Sequence, residues 1–226
     1  HPDFPKTNQK TVYNFVLYVR EKYNLVKEFE SRQYSKVAEL PYGKQIQADF
    51  GEYNMTTIEG QRKKVYFFGM VLSRSRYKYV WFSEHPFTTP TSIDAHQSGF
   101  KFFGGYSEEV VYDQDKLFLV DENKGNLIHT NAFRAYHIDI GFQTRFCRKS
   151  DPESKGKIEK VIGYIKYNFL RGRKYFDIHT LNAQALEWLD RTANGNVHST
   201  THLIPAQEWL IEKTHLTHLS VPFLTG

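Results

Sequence analysis

The chain has 226 residues, 40% of them hydrophobic and 24% charged, and a net charge of +5. That length supports one sizeable core, or a core with an appended segment, and the composition is that of a soluble globular domain. No run of about 18 apolar residues offers a membrane span. A single cysteine, Cys147, excludes an intrachain disulfide and any multi-cysteine zinc site, and suits a reducing compartment.

The chain opens at His1, without Met and without a secretory signal, which suggests a fragment of a longer protein. Val12, Phe15, Val16, Val19 and Tyr23 recur at helical spacing, predicting one helix over 11–25. The stretch 28–40 is polar and aperiodic and is expected to be a connector. Between Lys44 and Asn54 the pattern alternates, with Ile46, Ala48 and Phe50 to one side and Gln47, Asp49 and Gly51 to the other, as in a strand. The apolar run 65–72 reads as a strand covered on both faces, 73–76 as a turn and 77–82 as a third strand, together an antiparallel meander. A helix over 91–104 stops at Gly104-Gly105, and a short strand over 110–112 runs into Asp113. A helix over 130–141, a strand over 142–146, and helices over 152–170 and 180–193 complete the order. That order suits a mixed sheet with helices on its faces.

The helix beginning at Pro152 carries Ile158, Val161, Ile162, Ile165 and Phe169 on one face, with Lys155, Glu159 and Lys166 on the other. A solvated lysine–glutamate face would account for the second set. Between Arg145 and Lys174, however, ten Lys/Arg stand against three acids, a balance of +7 that leaves −2 for the rest of the chain. Such a block is the electrostatic footprint expected for a polyanion such as nucleic acid.

Asp49 interrupts the first strand and Asp113 ends the fourth, although Asp is depleted in strands. An edge bulge at Asp49 and plain strand termination at Asp113 are the local alternatives. If strands one and four are neighbours, the two carboxylates meet, and at about 4 Å they repel by about 4 kcal/mol. A hard divalent cation relieves that repulsion. Adding Glu159 gives a three-carboxylate site suited to two Mg²⁺ ions, the arrangement used for phosphoryl transfer. Asp115, Asp121 and Glu122 compete with Asp113 for this role. Glu153 competes with Glu159 but falls in the first helical turn, where a carboxylate favours the helix dipole.

The segments QADFGE, VVYDQ and DPESKGKIEKVIGYIKYNFL resemble the three catalytic motifs of IstA-type transposases, within the retroviral-integrase-like DDE recombinases. The stretch 191–213 is similar to that family's N-x-x-x-H-x-T-T…P segment. The resemblance covers roughly residues 40–215 and implies a ribonuclease H-like mixed five-stranded sheet flanked by helices. It implies residues 1–40 as an N-terminal helical segment and linker, 41–215 as the catalytic core, and 216–226 as a tail toward an absent β-barrel domain.

By the same resemblance Asp49, Asp113 and Glu159 are the catalytic and metal-binding residues, with Mg²⁺ or Mn²⁺ as a two-ion cofactor. Lys155, in a K-G-x-x-E arrangement, contacts the DNA backbone, and the basic block adds Lys157, Lys166, Arg171 and Arg173 as DNA-binding candidates. The implied activity is strand cleavage at transposon ends and transfer of the 3′-OH into target DNA. Implied partners are both DNAs, further copies of the chain on DNA ends and an AAA+ ATPase helper, in a bacterial, cytoplasmic, nucleoid-associated setting. A nuclease without strand transfer and a catalytically silent nucleic-acid-binding module are the competing readings. Two departures stand out: Gln114 follows Asp113 where Asn is common, and the 46 residues from Asp113 to Glu159 leave room for an inserted loop around 115–130. The pairs His198/His202 and His215/His218 have spacings that metal ligands use, but with one cysteine zinc is not expected. His198, Thr200 and Thr201 are candidates either to position DNA or a loop, or to cap the segment that follows.

Overall fold

A computed structural model describes residues 8–25, 39–113, 130–147 and 152–219. The chain divides into an N-terminal unit, His1–Val37, and a main unit, Ala38–Gly226. The first contains α1 (Gln9–Lys22), where the Asn8 side chain accepts the Lys10 amide at its start. Most of the 28–40 connector lies outside the described residues, as does nearly all of the inserted loop.

The main unit begins with a meander: β1 (Gln45–Thr57), β2 (Arg62–Leu72) and β3 (Lys78–Ser83), paired antiparallel. Helix α2 (Thr89–Phe103) follows, opened by a Thr88–Thr91 capping box and closed at Gly104 in the left-handed region, φ 83°. Then come β4 (Glu109–Asp113), α3 (Asn131–Ile140) between the Thr130 cap and Gly141, and β5 (Gln143–Cys147). Helix α4 (Pro152–Tyr164) runs on as a wider π turn over Ile165–Leu170. The two-residue β6 (Lys174–Tyr175) pairs with the far end of β1. Helix α5 (Ile178–Trp188), capped by Asp177, also ends in a π segment, Leu189–Ala193. Helix α6 (Pro205–Glu212) starts on Pro205 and is not among the helices that the sequence predicts.

The sheet order is β3-β2-β1-β4-β5, antiparallel on one side of β1 and parallel on the other. Apolar side chains of one sheet face, among them Ile46, Ala48, Phe50, Phe68 and Val110, pack on Ile93, Phe100, Phe133 and Tyr136 of α2 and α3. The opposite face, with Val65, Phe67, Val80 and Phe82, packs on Ile158, Val161, Ile162, Ile165 and Phe169 of α4 and on Leu181 and Trp188 of α5. The apolar stripe expected of α4 is thus the stripe it buries. The result is a three-layer α/β/α body with β1 at its centre, buried on both faces along its first half.

Candidate active site

Asp49 lies mid-way along β1, 3% exposed, on the face that α4 covers. Its Oδ1 accepts the Phe50 amide at 2.8 Å. It is neither an edge nor a bulge residue, since β1 is paired continuously with β2 through this position. In the parallel register Gln45 faces Glu109, Gln47 faces Val111 and Ala48 faces Tyr112, so position 113 comes next, alongside Asp49. The side chains of the first pair meet, Gln45 Nε2 donating to Glu109 Oε1 at 2.7 Å. Strand alternation then puts positions 109, 111 and 113 on the same sheet face as 45, 47 and 49. Asp113 itself pairs with Cys147 of β5. The structure describes Asp113, Glu153 and Lys155 as backbone positions only, and Asp115, Asp121 and Glu122 lie outside the described residues.

Helix α4 is fixed over this face at two points. The Ile158 amide donates to Gln47 Oε1 at 3.0 Å. Eight residues on, the Lys166 ammonium stands 6.0 Å from the centre of the Phe67 ring, and Phe67 is the register partner of Gly51. Eight helical residues rise about 12 Å and four strand residues about 13 Å, so the helix runs alongside β1 in the same direction. Glu159 follows Ile158 close to the level of Gln47, one strand step before Asp49, whose partner Gly69 lies under Ile162, and its side chain reaches solvent. Helix α4 touches β1, β2, β4 and β5. The elements bearing Asp49, Asp113 and Glu159 are therefore in mutual contact.

Among the described residues no group of three His, Cys, Asp or Glu side chains forms a ready metal cluster, the Asp113 carboxylate being outside that description. The donors these elements can offer are nonetheless all oxygens, the type that Mg²⁺ and Mn²⁺ prefer. A carboxylate as buried as Asp49 carries a desolvation cost that a cation offsets. The donor set fits a hard divalent ion.

The basic candidates fall into two groups. Arg171 is exposed in the turn after the π segment, and Lys160 is exposed on α4 beside Glu159. Lys157 is half-buried, 3.7 Å from Glu39, which also pairs with Arg76 at 2.5 Å, and burial lowers the Lys157 pKa. Arg173 donates to the Phe169 carbonyl at 3.1 Å and to Gln184 at 2.6 Å, with its guanidinium 4.3 Å above the Phe169 ring. Lys166 is half-buried with its tip over Phe67. Arg171 and Arg173 also follow the end of the helix at Leu170, eleven residues and about 16 Å beyond Glu159.

In the Asn194–Pro205 stretch the side chains serve the scaffold. Asn194 is fully buried and holds Lys78 at both backbone groups, accepting its amide at 2.8 Å and donating to its carbonyl at 2.9 Å. Asn182 holds Phe82 in the same way. These two carboxamides pair backbone groups on the outer edge of β3 that a further strand would otherwise take. His198 Nδ1 accepts the amides of Thr200 and Thr201, shaping the turn before α6. Burial, reinforced by Lys78 and Arg76, pushes the His198 pKa down to about 4, so the ring is a neutral acceptor.

This three-layer body, with Asp49 on its central strand, has the fold of the retroviral integrase catalytic core, which is ribonuclease H-like. The catalytic core domain of HTLV-2 integrase, solved in complex with magnesium in a dimeric form, superposes with a TM-score of 0.54 at 16% identity, over 76% of this chain and 99% of that domain. A chain of the simian T-cell lymphotropic virus intasome, in complex with the PP2A regulatory subunit B56 gamma, gives a TM-score of 0.54 at 12% identity, over 97% of this chain and 74% of that one.

Sequence comparison narrows the class. The transposase for an IS21-like insertion sequence element of Bacteroides fragilis is 49% identical over 219 residues, 96% of this chain. A putative transposase for IS5376 of Geobacillus stearothermophilus is 30% identical over 192 residues, and the IS21 transposase of Pseudomonas aeruginosa is 29% identical over 181. No family model matches the chain. It belongs to the IS21-type transposases, and it spans 42–46% of the length of these relatives.

Proposed function

We propose that this chain is the catalytic core of a DNA transposase, which cuts at the ends of a mobile element and joins the freed 3′-OH to target DNA. The observation that supports the reading is the parallel register that sets positions 49 and 113 on adjacent strands, with α4, which carries Glu159, packed over the same sheet face. Asp49, Asp113 and Glu159 would hold two Mg²⁺ or Mn²⁺ ions. When bound, such ions supply Lewis-acid stabilisation of the charge that develops on the phosphodiester oxygens and lower the pKa of a water.

The chain's own residues do the rest. Adjacent strands β1 and β4 of one sheet would bring the Asp49 and Asp113 carboxylates to the arriving phosphate. Lys155, Lys160, Lys166 and Arg171, on α4 and the turn beyond it, supply positive charge along one path for the DNA backbone. Lys157 and Arg173, tied to Glu39 and Gln184, contribute to that field while bracing the helix. The partners are the element's end DNA and target DNA, further copies of the protein assembled on those ends, and an AAA+ ATPase that delivers the target.

An assay with pre-cleaved donor ends and a circular target tests the reading. Joined products that require Mg²⁺ or Mn²⁺ support it. Hydrolysis without joining marks a simple nuclease, and activity unchanged in Asp49→Asn, Asp113→Asn and Glu159→Gln marks a site elsewhere.

A further inference from the structure

We propose that Gln47 is a positioning residue that sets α4, and with it Glu159, against the strand bearing Asp49 and thereby tunes how tightly the site holds its metal. This rests on the reading of Asp49, Asp113 and Glu159 as the metal site.

Gln47 is 1% exposed and engaged at both ends of its carboxamide. Its Oε1 accepts the Ile158 amide at 3.0 Å, and its Nε2 donates to Gln45 Oε1 at 3.0 Å. A backbone N–H can only donate, so the amide has one orientation. Gln45 Oε1 also accepts the Ser73 hydroxyl at 2.7 Å, and Gln45 Nε2 donates to Glu109 Oε1 at 2.7 Å. A single chain of hydrogen bonds thus links Glu109, Gln45, Gln47 and the Ile158 backbone.

Its members lie on the three elements that carry the carboxylates. Glu109 is four residues before Asp113 on β4, Gln47 two before Asp49 on β1, and Ile158 one before Glu159 on α4. All the strand members share the carboxylates' sheet face, one or two register steps below them. An amide inside a helix would ordinarily be given to the carbonyl four residues back. Here a side chain of the sheet reaches it, fixing both the height and the rotation of α4 one residue from Glu159. Supporting contacts of this kind commonly change metal affinity by about 10–100-fold when removed.

The test uses the intact protein. Gln47→Met keeps the length of the side chain and removes both polar ends, with Gln47→Leu in its place if the first does not fold. The Ile158 amide should then exchange with solvent about tenfold faster in metal-free protein. Mn²⁺, titrated by electron paramagnetic resonance, should bind about tenfold more weakly. Gln47→Glu, which keeps an acceptor at the same reach, should restore the protection of Ile158. Ser73→Ala removes a different bond from the same network and should leave both readouts at wild-type values.

Unchanged Ile158 exchange or unchanged Mn²⁺ affinity in Gln47→Met overturns the inference. So does an equal loss in Ser73→Ala, because that would be general loosening. Asp49→Asn separates this from the underlying reading: if it binds Mn²⁺ as wild type does, the metal site itself is misplaced.

Discussion

Gly69 of β2 stands directly across from Asp49 of β1, and the space a side chain would fill there belongs to α4. A Cβ at position 69 would lie 3.3 Å from Ile162 Cδ1 and 3.5 Å from Ile165 Cδ1. The absent side chain therefore sets how closely the helix bearing Glu159 approaches the strand bearing Asp49. Gly69→Ala asks Ile162 to give by a few tenths of an ångström and should be mild. Gly69→Val overpacks the seam and should destabilise by about 1–3 kcal/mol, with a larger fractional loss of strand transfer than of folded protein. Thermal melts beside a joining assay check this; full activity in Gly69→Val would show that the seam is not tight.

Removing single carboxylates should abolish chemistry without unfolding the chain. Losing several kcal/mol of transition-state stabilisation corresponds to a rate loss of at least about 10³-fold for Asp49→Asn, Asp113→Asn or Glu159→Gln. Glu153→Gln and Asp115→Asn should retain activity. Rates at saturating Mn²⁺ measure the difference.

Charge removal separates the two groups of basic residues. Lys160→Ala and Arg171→Ala should weaken DNA binding about equally for all sequences and lower the salt slope by about one each. Arg173→Ala should instead lower the melting temperature, because it strips the Phe169 carbonyl and Gln184 of a donor. Binding isotherms across a salt series, read beside melts, distinguish these outcomes.

His96 makes stability depend on pH. The Ser92 carbonyl can only accept, so His96 Nδ1 carries the proton at 2.7 Å, and Nε2 accepts the Tyr112 hydroxyl at 2.8 Å. Complete burial pushes its pKa down to about 4 against about 6.5 in the unfolded chain. The unfolded state therefore binds the proton first. The stability is fully present above about pH 6.5, is lost as pH falls from there to about 4, and changes no further below; the loss is about 3 kcal/mol. Denaturant midpoints across this range should fall for the wild type and fall less steeply for His96→Gln. Equal slopes would contradict this.

Much of the site's frame was legible because strand and helix periods are strong local signals. The alternation of Ile46, Ala48 and Phe50 gave β1 its core face, and the apolar stripe of α4 gave the helix its buried one. The other face of β1 was harder to read. Gln47, Asp49 and Gly51 look like a solvent side, yet α4 covers them, and only tertiary contact shows that. Gln47 opens the QADFGE segment, but nothing in that segment reveals its partner, a backbone amide 111 residues away. Asn194 was visible as part of a motif, but its grip on Lys78 depends on β3 being a sheet edge. The π segments ending α4 and α5 continue the apolar period, so sequence alone reads each as one helix.

The most direct measurement is anomalous diffraction from crystals soaked in Mn²⁺. Two peaks held among Asp49, Asp113 and Glu159 are the expected result. Manganese bound away from these three side chains, or carboxylates that stay apart with the ion in excess, would contradict the account.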